Sequence, residues 1–288
     1  MSKLENNISV ILIAAAMLIG LSLLLYPSIS NAWNETHQSH AIVDYIEDVS
    51  ALDENDYNDI MEKAEIYNNS LTWKAKKYIF SDKDSEVYNS LININNTGIM
   101  GYVDIPAINC KAPIYHGTEN SVLQVGVGHL EWSSLPIGGE SSHCVLMAHR
   151  GLTGARLFTD LDKMRIGDTF TLNVLDEVLI YEVDDISVIE PKDVDSLNII
   201  NEKDYCTLIT CTPYGVNTHR LLVRGVRVNS ETKEKITADA EHINISPLLV
   251  CFIPIGVLII VMIVISKQRN KAYADISAFC KVQEQNSN

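Results

Sequence analysis

Two uncharged apolar stretches bracket this chain and restrict what lies between them. Residues 8–26 (ISVILIAAAMLIGLSLLLY) and 246–265 (SPLLVCFIPIGVLIIVMIVI) contain no Asp, Glu, Lys or Arg. A helix needs about 20 mostly apolar residues to cross a bilayer, so both are expected to span a membrane. Lys3 is offset by Glu5, and no small-x-small cleavage site adjoins the first stretch. An uncleaved anchor is therefore expected rather than a signal peptide. Pro254 and Gly256 do not exclude the second stretch, because membrane helices tolerate both residue types. Basic residues mark the cytoplasmic side of a span. Lys267, Arg269, Lys271 and Lys281 follow the second stretch, whereas Glu35, Asp44, Glu47 and Asp48 follow the first. Both termini are expected in the cytoplasm and residues 27–245 outside the cell.

The chain is acidic, with 37 acidic and 22 basic side chains, a net charge of −15, and no basic stripe. That pattern argues against a nucleic-acid partner and reads as a solvated exterior. Of the six cysteines, Cys110, Cys144, Cys206 and Cys211 fall between the apolar stretches. Four thiols allow two disulfides, but their spacing matches no small stapled scaffold, and a domain of this size does not need bridges.

Between the spans the texture changes once. Ile42, Ile46, Val49 and Leu52 recur at helical spacing, as do Tyr57, Ile60, Met61, Ala64 and Tyr67 beyond a break at Asp53-Glu54-Asn55. Residues 40–73 are thus a helical stalk or packing arm. Residues 74–96 are polar and irregular, with room for a short helix around 86–92. From Gly98 onward, short apolar runs alternate with turn residues. Strands are expected at 99–105, 112–115, 143–149, 169–174, 178–184 and 186–191. Short helices are expected at 118–123, capped by Thr118, and at 157–164. Many short strands at this spacing indicate an all-β barrel or sandwich. Residues 230–242 are a polar linker.

The most chemically suggestive stretch is 205–228, YCTLITCTPYGVNTHRLLVRGVRV. Two apolar strands flank a loop of turn formers, Pro213, Gly215 and Asn217. Cys211 closes the first strand and Arg220 opens the second. Opposed residues of an antiparallel hairpin have Cβ atoms about 4.5–5.5 Å apart, so a thiol and a guanidinium should meet at the mouth of the sheet. A cysteine nucleophile also needs a proton partner. His149 ends an apolar strand at a rim and is the best candidate. His143 begins that strand, and His129 sits in a Gly-flanked loop. Cys206 and Cys211 point to opposite faces, which excludes shared metal ligation. No phosphate-cradling Gly-rich loop and no Ser nucleophile elbow occur, so neither metal nor cofactor is expected.

These residues belong to a longer pattern. TLITCTPYGVNTHRLLVRG (207–225) strongly resembles the active-site stretch of class C sortases, the pilin-polymerising cysteine transpeptidases of Gram-positive cell surfaces. GYVDIPAI (101–108), APIYHGT (112–118), VGVGHLEWSSLPIGGESSHCVLMAHRGL (125–152) and LFTDLDKMRIGD (157–168) match in the same order. The second apolar stretch separates the chain from class A sortases. The resemblance implies a mainly β fold, an eight-stranded sortase barrel with short helices, a helical arm and two transmembrane helices. It divides the chain into an anchor (1–26), a helical arm with a candidate lid (27–97), the catalytic barrel (98–229), a linker (230–245), a second span (246–265) and a cytoplasmic tail (266–288). It assigns catalysis to His149, Cys211 and Arg220. It implies cleavage of an LPXTG-like sorting signal between Thr and Gly, with transfer to a lysine amine of the next pilin subunit. The alternatives are anchoring of single surface proteins to cell-wall peptide and a catalytically silent binding scaffold. Class C enzymes usually carry an Asp-Pro-aromatic lid motif. Here Tyr78-Ile79-Phe80 stands in that place, with Phe80 the candidate plug and no lid aspartate to pair with the arginine.

Overall fold

The computed structural model describes residues 3–71, 82–152, 154–228 and 267. Phe80, the linker and the second apolar stretch lie outside them. Among the described residues, one helical stretch, Ala15–Ser50, is long and apolar enough to cross a membrane. It belongs to helix α1 (Lys3–Ser50), which passes through Pro27 without a break. The expected helical arm therefore begins, in its first part, within the same helix as the first apolar stretch.

Eight strands close into a barrel in the order β1-β2-β3-β4-β7-β8-β6-β5, with β5 pairing back onto β1. They are β1 (Ile99–Ile105), β2 (Cys110–His116), β3 (Val127–His129), β4 (Ser142–Met147), β5 (Thr169–Val174), β6 (Glu177–Ile189), β7 (Asp204–Thr212) and β8 (His219–Val228). Pairings β2–β3 and β4–β7 are parallel, and the rest are antiparallel. Along β5, buried and half-buried residues alternate, as expected of a strand with one face on a core. The start of β4 and the middle of β7 are buried on both faces. Their inner face, with Cys144, Leu146, Cys206 and Leu208, joins the barrel core, while Val145 and Ile209 join Leu222 and Leu197 in a second, smaller cluster outside.

The arm packs on this barrel through polar pegs. From α1, Gln38 Nε2 donates to Val125 O at 3.0 Å, and Tyr45 bridges Met100 O and Leu175 N. Helix α2 (Glu54–Leu71) begins after Asp53, whose carboxylate accepts from the N–H groups of Asn55 and Asp56 at 2.8 Å. This places the break one to two residues earlier than its expected position, because Asp53 caps α2 rather than sitting inside the gap. Asn68 of α2 exchanges two hydrogen bonds with Leu135. Helix α3 (Asp82–Ser90) buries Tyr88 completely.

Four expectations are corrected. Residues 157–164 form only a 3-10 turn, Leu161–Lys163. Leu157, Phe158, Leu161 and Met164 have helical spacing, but all four are spent in the core, which holds the chain in an irregular path. Residues 178–184 and 186–191 are one strand, β6, with a register shift between Val183 and Asp185. His129 ends a buried strand rather than lying in a loop. The helix after Thr118 is α4 (Asn120–Leu123), preceded by Glu119, and Thr118 does not cap it.

Candidate active site

The hairpin β7–β8 has the register read from the sequence. Cys211 and Arg220 are Cα partners, as are Thr212 and His219. The parallel pairing of β4 with β7 aligns Val145 with Thr207, Leu146 with Leu208 and Met147 with Ile209. It continues past the end of β4, where Ala148 N donates to Ile209 O at 3.2 Å and Thr210 Oγ1 donates to Ala148 O at 2.9 Å. His149 follows Ala148, two residues past the end of β4, as Cys211 follows Thr210 on β7. The β7–β8 register thus brings Cys211 and Arg220 together, and the β4–β7 pairing leads the segment that carries His149 toward the same end of β7, a connection that no local pattern announces.

Side-chain alternation gives Cys211 and Arg220 the same face. Cys206, Leu208 and Thr210 point inward and are buried, whereas Ile209 points outward into the second cluster. Cys211 follows Ile209 on that outer face and is half-buried, unlike the fully enclosed Cys110, Cys144 and Cys206. On β8, Leu221 and Val223 face the core, so Leu222 and Arg220 face outward. On β4, Val145 and Met147 share that outer side; His149 does not end the strand as expected but lies two residues beyond it. Met147, Leu130 and Ile189 extend that outer apolar floor. Tyr214 and Val216, 61 % and 66 % exposed, stand in the loop above it.

Each polar group is oriented by a neighbour. His149 Nε2 lies 3.2 Å from Asn120 Oδ1 at the start of α4. With Nε2 protonated, the carboxamide oxygen accepts from it and fixes the ring, leaving Nδ1 for proton exchange. Asn120 was not singled out in the sequence, because a lone Asn in a turn carries no signature beyond turn preference. Arg220 Nη1 donates to His219 O at 3.1 Å and Asn217 O at 3.3 Å. Among the described residues its Nη2 makes no hydrogen bond.

Cys110, Cys144, Cys206, His129 and His143 are held inside the fold. Burial pushes the Cys110 thiol up to about 12 and the Cys206 thiol well above its usual range. Cys144 and Cys206 are register partners inside the barrel. His129 Nε2 donates to Ser134 O at 2.8 Å, and its Nδ1 accepts from Tyr88 O–H at 2.9 Å. His143 is bound by Asn198 O and Thr207 Oγ1. Among the described residues no group of three His, Cys, Asp or Glu side chains converges to hold a metal ion. A cleft of about 510 Å³ lies between α1, α2 and the β5–β6 turn, lined by Ile46, Val49, Tyr57 and Leu175. It opens at the other end of β6 from Ile189, the register partner of Arg220, and belongs to the seam between arm and barrel.

Residues 103–228 match the sortase domain family. The crystal structure of sortase C1 from Streptococcus agalactiae is 52 % identical, with a TM-score of 0.64, over 66 % of this chain and 98 % of that one. Sortase C from Streptococcus pneumoniae is 45 % identical, with a TM-score of 0.60, over 66 % and 97 %. Sortase C from Clostridium perfringens, solved with the C-terminal cell wall sorting motif, is 42 % identical, with a TM-score of 0.59, over 66 % and 99 %. A closed eight-stranded barrel, a thiol and a guanidinium in register at its mouth, and near-complete coverage of these relatives agree: the chain belongs to the sortase family of cysteine transpeptidases, in its class C branch.

Proposed function

We propose that this enzyme is a membrane-anchored pilin polymerase. It cleaves an LPXTG-like signal between Thr and Gly and joins the new acyl end to a lysine amine of the next pilin subunit. The observation that carries the reading is the Cys211–Arg220 register pair, with His149 two residues past the end of the strand that pairs with β7. Further support comes from the Clostridium perfringens sortase C solved with a sorting motif and the Streptococcus pneumoniae sortase C described for pilin substrate specificity.

The chemistry divides into two acyl transfers. Cys211 Sγ, as thiolate, attacks the Thr carbonyl carbon. Arg220 donates to the developing oxyanion, where a fixed cationic donor gains strength as charge forms. His149, as imidazolium, gives its proton to the Gly nitrogen, the C–N bond breaks, and a thioester remains on Cys211. A lysine amine then attacks the thioester carbonyl and passes its proton to His149. The thiolate leaves, and an amide joins the two subunits. Water in place of lysine gives hydrolysis as a side reaction. The apolar floor of Met147, Leu130 and Ile189 offers a surface for the aliphatic part of the signal. The anchor helix holds the barrel at the membrane, with the catalytic domain outside and both termini inside the cell.

The test uses the full-length chain in detergent with purified pilin bearing the signal. The expected product is a ladder of covalent oligomers that resists denaturant. Transfer only to cell-wall stem-peptide amines would replace this reading with single-protein anchoring. Peptide binding without cleavage, unchanged in Cys211→Ala, would leave only a binding scaffold.

A further inference from the structure

Next to His149 stands an arginine that the reaction above does not use. The side chain of Arg150 is only 9 % exposed, yet two separate segments meet on it. Its Nη2 donates to Asp162 Oδ2 at 2.5 Å, in the 3-10 turn after β4. Its Nη1 donates to Thr212 Oγ1 at 3.3 Å, at the end of β7 and next to Cys211. Its guanidinium carbon lies 5.8 Å from the ring centre of Tyr214, within cation–π range.

The backbone beside it is shaped for this arrangement. Gly151 has a φ of +73°, and a Cβ there would come within 2.7 Å of the Tyr214 ring. Only glycine lets the chain turn away from Arg150 while the tyrosine lies flat across it. The Arg150 Nε is buried and has no hydrogen-bond partner among the described residues. A buried donor left unmatched costs about 1–3 kcal/mol. A core chosen for stability alone would place a smaller, apolar residue here. Because the guanidinium is enclosed and its charge is committed to Asp162, it is not available to the substrate.

We propose that Arg150 is a positioning residue for the transpeptidation, resting on the catalytic roles assigned above. It ties the strand end carrying His149 to the strand end carrying Cys211, and it ties both to the 3-10 turn. β4 has already ended at Met147, so regular pairing does not hold His149 in place. The Arg150–Thr212 bond closes the two strand ends beyond the last ladder contact. A planar fork is needed, because one group must reach a carboxylate and a hydroxyl in fixed directions while stacking on a ring.

The experiment measures steady-state transfer by full-length Arg150→Lys, Asp162→Asn and the double variant, with kcat normalised to the Cys211 thiol titrated by alkylation of folded protein. A loss of 1 Å in alignment can cost about 10²-fold. Arg150→Lys is therefore expected to lower kcat at least tenfold with KM within threefold of wild type. Asp162→Asn should lower kcat several-fold, and should have no further effect once Arg150 is Lys. Independent, multiplying effects of the two substitutions would overturn the clamp. So would a lower melting temperature with an unchanged kcat per titrated thiol, which is the pattern of a purely structural arginine. Cys211→Ala run alongside separates the two ideas. If it remains active, the catalytic assignment fails; if it is inactive while Arg150→Lys turns over normally, only the positioning role fails.

Discussion

Strand β4 and its continuation carry two histidines six residues apart, and the two have opposite fates. His143, at the near end, is 1 % exposed. Its Nδ1–H donates to Asn198 O at 3.0 Å, and its Nε2 accepts from Thr207 O–H at 2.7 Å. Burial holds its pKa below the usual value, opposed by the Asn198 bond, with Arg224 lowering it further and Asp184 raising it. His149, beyond the far end, is half-buried and has a single side-chain partner, Asn120. The residue type is the same. What differs is position: His143 lies within β4, bonded to Thr207 of β7 and closed over by Asn198 of the β6–β7 connection, whereas His149 lies two residues past the end of the strand. Cys206 and Cys211 repeat the contrast, one locked in the core and one at the rim. Reactivity in this barrel follows from where the sheet runs out.

The contrast is broken most severely by removing the rim groups. Cys211→Ala and His149→Ala should each reduce signal cleavage to the uncatalysed background in a peptide assay. Cys206→Ala should keep kcat per folded molecule while lowering the melting temperature, because it removes only packing. Next in size is Arg220→Lys, which keeps the charge and loses the fork. The expected loss is about 10²–10³-fold in kcat, typical for removal of an oxyanion donor. A rate near wild type would take Arg220 out of the mechanism. Asn120→Ala should act more weakly, lowering kcat about tenfold or less with KM little changed. General acid–base catalysis is worth about 10²–10⁴-fold, and only the orientation of the imidazole is disturbed.

The smallest catalytic effect belongs to the buried member of the pair. His143→Gln should leave kcat within threefold and cost about 1–3 kcal/mol of stability, the penalty for disturbing a buried hydrogen-bonded group. The pH dependence has a definite sign. A histidine whose folded pKa is depressed takes up its proton first in the unfolded chain. Its stabilising contribution is complete above about 6.5, the ordinary value, and is lost as pH falls from there through the folded pKa. Melting curves of wild type should therefore fall more steeply below that pH than those of His143→Gln. Parallel curves would show that His143 is not the neutral, enclosed group described here.

Much of this was legible in the sequence, and the remainder was not for physical reasons. The β7–β8 hairpin is local: apolar runs, turn formers between them, and a register set by the loop. Its Cys211–Arg220 pairing was readable before any fold was known. The approach of the His149 segment to the end of β7 depends on the parallel β4–β7 pairing, a connection across 62 positions that periodicity does not encode and the family likeness had to supply. Strand β3 escaped notice because three residues among glycines make no pattern. Residues 157–164 looked helical because core anchors happened to fall at helical spacing. Asn120 and Arg150 were passed over because their importance comes from what the fold sets against them. The second span and the Phe80 plug were equally readable as sequence expectations, but they fall outside the described residues.

The account rests on one thiol, which a trapping measurement can test directly. Full-length enzyme mixed with an LPXTG peptide in the absence of amine acceptor and quenched in acid should carry the peptide acyl group, through its Thr, as a thioester. Digestion and mass spectrometry should find that mass on the fragment containing Cys211, and it should disappear on addition of a lysine-bearing acceptor. An adduct on Cys110, Cys144 or Cys206, or peptide cleavage that continues undiminished in Cys211→Ala, would contradict the account.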